Sequence, residues 1–99
     1  MNRPFYSEYV RHCLRFYTRN PDLKHFNTEV DKNNWWACES VLKNYEVLDR
    51  DIITAVYGGY DTLADNVYET AKKNNVNQNI IWDAMKDIER RIARKRGLL

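Results

Sequence analysis

Three glycines and two prolines supply all the turn punctuation in this 99-residue chain. So little punctuation favours a few long helices over many short strands. The expected fold is therefore all-α, a compact bundle of about five helices with a C-terminal helix-turn-helix. The length suits one domain, residues 1–99, with one modest core. Within it we expect an N-terminal helical pair at 1–45 and a helix-turn-helix unit at 46–99. An enzyme with a cleft between two lobes does not fit this length.

Apolar residues make up 43% and charged residues 30% of the chain, a balance that supports a packed core and argues against disorder. The formal net charge is only +2, so a nucleic-acid role has to rest on where the charges sit. No apolar run approaches the roughly 18 residues of a membrane span. Met1-Asn2-Arg3-Pro4 is followed by Phe5-Tyr6-Ser7-Glu8, which is not the apolar region of a signal peptide. A cytoplasmic location with no membrane partner is the expectation, with Cys13 and Cys38 as reduced structural thiols.

Pro4 suits a helix's first turn, and Phe5, Tyr9, Cys13 and Phe16 recur at helical spacing, with Tyr6, Val10, Leu14 and Tyr17 broadening the stripe. This places a first helix at about 4–19. Arg3, Arg11, Arg15 and Arg19 then read as a solvated face. Asn20-Pro21-Asp22 ends the helix, because the residue before a proline is pushed out of the α region. Oxygen-bearing side chains from Thr28 to Asp31 can cap a second helix at about 31–44. Trp35 and Trp36 diverge there by about 100°, so one belongs to the core and the other to a lid, wedge or contact site. Both are candidate protein-interaction residues.

A third helix opens at Asp49 and is stopped by Gly58-Gly59, a pair that accepts left-handed geometry. Asp61 or Thr62 caps a fourth helix, with Leu63, Val67 and Ala71 facing inward. Asn74-Asn75 closes it, asparagine being tolerant of positive φ. Val76 would plug the core and Asn77 cap the last helix, whose Ile81, Ala84, Met85, Ile88 and Ile92 form a clear 3.6-residue stripe to about Arg96.

That last third carries the functional signal. Arg90, Arg91, Arg94, Lys95 and Arg96 crowd cations into the end of the final helix. They read either as phosphate contacts or as charges opposing the negative end of the helix dipole. Lys72 and Lys73 could extend the same electropositive surface. Gln78 and Asn79 are of the types that pair with adenine edges, placed where a recognition helix meets bases, though polar residues after a cap are also ordinary solvent-facing choices. Trp82 could stack on a sugar or a partner, or pack back on the bundle; Lys86 shares the exposed side. Asp83, Asp87 and Glu89 put acid on the same helix, where phosphates would repel it.

The stretch from Val47 to Arg96 resembles region 4, the C-terminal DNA-binding module of sigma-70-type polymerase specificity factors. Leu48-Asp49-Arg50-Asp51-Ile52-Ile53 is similar to that module's opening helix, and Glu69-Thr70-Ala71 falls where the family tends to have Glu-Ile-Ala. Asn75-Val76-Asn77 falls at its turn and cap, and Ile81, Met85, Ile88 and Ile92 on the apolar positions of its recognition helix. The resemblance implies a transcription-associated accessory protein. Its partner would be double-stranded DNA, with RNA polymerase or another protein as a further partner. The part of a sigma factor that melts promoters has no room in this length. The whole chain also resembles small proteins encoded on integrative and conjugative elements of Gram-positive gut bacteria. The alternative is a non-enzymatic protein-protein interaction module of a mobile-element complex, docking through Trp35 and Trp36.

No catalytic constellation stands out. His12, Cys13, His25 and Cys38 lack the close pairing of zinc ligands. Gly58-Gly59 lacks the spaced glycines and lysine of a phosphate loop. The expectation is a protein without metal, cofactor or enzymatic activity.

Overall fold

The computed structural model describes residues 4–99, in which five helices and no strand are found. They are α1 (Ser7–Arg19), α2 (Glu29–Leu42), α3 (Arg50–Gly58), α4 (Leu63–Asn74) and α5 (Gln78–Lys95). Four begin on a side-chain cap. Thr28 accepts from the Asp31 amide, Asp49 from Asp51, Thr62 from Asp65 and Asn77 from Asn79. Each cap satisfies one amide that the first turn leaves without an intrahelical partner.

The first helix opens at Ser7 and not at Pro4, whose carbonyl instead accepts from the Ser7 amide at 3.1 Å. The core takes up Tyr6, while Phe5 is left 78% exposed. Arg3 lies outside the described residues. The second helix starts earlier than its apolar pattern suggested, at Glu29, because Thr28 is the residue that caps it.

α1 is the central element, packing against α2, α3 and α5, while α4 lies on α3 and α5. Val10, Cys13, Leu14 and Tyr17 are buried along it. The 1–45 and 46–99 parts of the chain consequently share one core, closed from the far side by Val56, Val67, Ile81, Met85, Ile88 and Ile92. Cys13 and Cys38 are both buried free thiols. Burial pushes the Cys13 thiol up to about 11, so it stays protonated and unreactive at neutral pH.

Gly58-Gly59 departs from its expected role. Neither residue has positive φ, and what the site needs is space. A Cβ on Gly59 would lie 2.6 Å from the Asn66 side-chain amide, which is buried and donates to the Val56 carbonyl at 3.0 Å. Arg19 fills the other side, donating to the Gly58 and Gly59 carbonyls. Gly59→Ala is expected to cost about 1–3 kcal/mol through this overlap. It should appear as a lower urea midpoint at unchanged slope; an unchanged midpoint would mean Asn66 moves aside freely.

Candidate nucleic-acid interface

The turn between α4 and α5 is three residues long, and its geometry follows from asparagine chemistry. Asn75 sits in the left-handed region at φ 54°, ψ 46°. The Val76 amide reaches back to the Ala71 carbonyl at 2.9 Å and the Asn75 amide to Lys72 at 3.4 Å. This pairing closes a helix end in the way a glycine usually allows. Val76 packs half-buried against the core, and Asn77 then starts α5. The amide end of α5, with Gln78 and Asn79, is left facing solvent.

Six of the sequence-derived candidates line two hollows, one at this turn and one further along α5, that share Asn79 and Trp82. Lys72, Gln78, Asn79 and Trp82 line one hollow of about 670 Å³, floored by Ala71 and Val76. Asn79 and Trp82 also line a second hollow of about 1090 Å³, shared with Lys86 and Arg90 and closed by Tyr6, Leu63 and Met85. Asn79, Lys86 and Arg90 are seven and four residues apart, which keeps them on one side of the helix. Trp82 is half-buried, packs against the core and lines both hollows.

No family model, curated protein or solved structure matches this chain.

Other candidates lie elsewhere. Lys73 is exposed on α4 away from both hollows, and Arg94 and Lys95 are exposed in the last turn of α5, where they oppose the helix dipole. Arg91 donates to Asp87 at 3.2 Å and lies over the Tyr45 ring at 5.7 Å. Arg96 is not a free cation at a helix end. It is half-buried, and its Nε donates to Asn34 Oδ1 at 2.6 Å, tying the end of α5 to α2. Trp35 is likewise committed mainly to the core, being 6% exposed, with its ring tilted against Tyr17 at 5.1 Å between centroids and its indole N–H donating to the Asn20 carbonyl at 2.8 Å. Trp36, one residue on, meets the Trp35 ring edge-to-face at 5.0 Å and is 53% exposed.

The three acids on α5 have three different fates. Asp83 is exposed beside Lys86. Asp87 is half-buried; burial pushes its carboxyl up, but hydrogen bonds from Tyr45 and Arg91 and the charges of Arg91 and Arg90 outweigh that and hold it below the ordinary value. Glu89 faces inward, 3% exposed, and accepts from Arg11 at 3.0 Å and from the Tyr57 hydroxyl at 2.7 Å. Glu89 still lines the hollow shared by Asn79, Lys86 and Arg90, but its charge there is met by Arg11. Burial, then the Glu89 charge, drive the Tyr57 phenol well above its ordinary value, so it remains a donor. Arg11 and Arg19, expected on a solvated face, are both engaged, Arg11 with Glu89 and Arg19 with the α3 end.

Sequence reasoning missed Arg11, Tyr57 and Tyr45 as the partners of these acids. The position of Glu89 carried a signal: it falls four residues after Met85 and four before Ala93, on the buried side of the helix. Its partners, distant in sequence, carried none.

Proposed function

We propose that this chain binds double-stranded DNA through α4, the Asn75–Asn77 turn and α5, as a transcription-associated accessory protein with a region 4-like helix-turn-helix. The observation that carries the reading is the shared lining of the turn. Lys72, Gln78, Asn79 and Trp82 surround one hollow, and Asn79 and Trp82 lead on to Lys86 and Arg90. In this reading the first turn of α5 enters the major groove, where the side-chain amides of Gln78 and Asn79 can donate to the N7 and accept from the N6 amino group of adenine. Lys72, Lys86 and Arg90 neutralise phosphates on either side. Among the described residues, Lys72 and Lys86 form no ion pair, so neither has to break one to reach a phosphate.

The test is a salt titration of binding to a mixed-sequence duplex. Log affinity is expected to fall linearly with log salt, with a slope of about −3 for three phosphate contacts. Undetectable binding at low salt, or affinity indifferent to salt, would sink the proposal. A second reading has one observation in its favour. Trp36 is exposed beside a hollow of about 760 Å³ that also contains Phe26 and Trp35, a fit for a protein-docking module. That reading expects no salt-linked DNA binding.

A further inference from the structure

We propose that Asp87 acts as an internal stand-in for a DNA phosphate, holding Arg90 and Arg91 in the free protein and so capping the affinity of the α5 face. The inference rests on the DNA-binding reading above and adds to it a residue that limits binding.

The geometry is a carboxylate held from three sides. Tyr45 donates its hydroxyl to Asp87 Oδ2 at 2.9 Å, fixing the carboxylate from the loop after α2. Arg91 approaches through Nε, 3.2 Å from one oxygen and 3.1 Å from the other. Arg90 lies one side further round the helix, its terminal nitrogen 3.5 Å from Oδ1. A planar carboxylate between two guanidinium groups offers the oxygens that a phosphate would offer to the same arginines. Asp87 also lines the hollow shared by Asn79, Trp82, Lys86 and Arg90, so its charge reaches the candidate interface directly.

Both arginines are more than half exposed, with side-chain exposures of 58% and 55%. Ion pairs this wet are weak and are exchanged readily for another anion. A phosphate arriving at α5 therefore competes with Asp87 for each arginine and is repelled by it at the same time. Removing the charge should release both arginines and add at least one phosphate contact.

The experiment compares the wild-type chain with Asp87→Asn, Asp83→Asn and Asp87→Asn in an Arg90→Ala/Arg91→Ala background, on one duplex across a salt series. Asparagine keeps an acceptor for Tyr45, and a thermal melt checks that each variant is folded. Asp87→Asn is expected to bind about tenfold more tightly near 0.1 M salt, with a slope steeper by about 1. Asp83→Asn, which releases no arginine, should gain about twofold, and the Asp87→Asn gain should vanish in the double-alanine background. If Asp87→Asn gains no more than Asp83→Asn, or keeps its gain without the arginines, the clamp is wrong while DNA binding stands. If neither wild type nor Asp87→Asn binds at low salt, the DNA-binding reading itself fails and takes the clamp with it.

Discussion

Glu89→Ala is expected to lower the free energy of unfolding by about 3 kcal/mol, the lower part of the range for breaking a buried ion pair. The variant strands the Arg11 guanidinium and the Tyr57 hydroxyl, which both direct their hydrogen bonds to the lost carboxylate. Tyr57 is 3% exposed, whereas the Arg11 side chain is 18% exposed and can reach solvent, which moderates the loss. For a domain of this size the deficit corresponds to a fall in Tm of roughly 15–20 °C. Glu89→Gln keeps an acceptor in place and should lose about half as much. Urea unfolding reads both. An alanine variant within about 1 kcal/mol of wild type would show that the buried network contributes little to holding α5 on α1 and α3.

The second large effect concerns binding. Lys72→Glu combined with Lys86→Glu should weaken duplex binding about 100-fold at 50 mM salt and make the log–log slope shallower by about 2. Both side chains are exposed, one on each side of the Gln78–Asn79 turn, so the reversal places repulsion on both flanks of the proposed groove contact. The control is Lys24→Glu with Lys43→Glu, equally exposed and near α2. It changes net charge by the same amount and should cost only a few-fold, through the screened field of the whole protein. Equal losses in the two pairs would mean that binding follows net charge and not the α4–α5 face. Exposed substitutions of this kind shift stability by about 0.5 kcal/mol or less, so lost binding would not reflect unfolding.

Much of the fold was legible because its signals are local. The caps at Asp49, Thr62 and Asn77 stand close before the apolar periodicity they start, while Thr28 opens α2 a turn and more ahead of its apolar stripe. The left-handed Asn75 and the half-buried Val76 follow from asparagine's tolerance of positive φ and from an apolar residue placed in a polar turn. The start of α1 was less legible, since Phe5 and Tyr6 fit an apolar stripe equally well and only packing chose Tyr6. Gly58-Gly59 was recognised as a helix stop for the wrong reason. Its small size matters because Asn66 lies against it, and nothing near it in sequence announces that approach.

The candidate site divides along the same line. By itself the sequence determined the helices, the α4–α5 turn and the residue types around it, because caps, turn residues and a 3.6-residue period act over a few positions. Tertiary structure alone decided which charges remain available. Arg96 is taken up by Asn34, Glu89 by Arg11 and Tyr57, and Arg90 and Arg91 by Asp87 with Tyr45 behind it, while Lys72 and Lys86 stay unpaired among the described residues. The physical reason is that a charge's freedom depends on partners within about 4 Å. Here most of those partners lie on other elements, in one case 78 positions away along the chain.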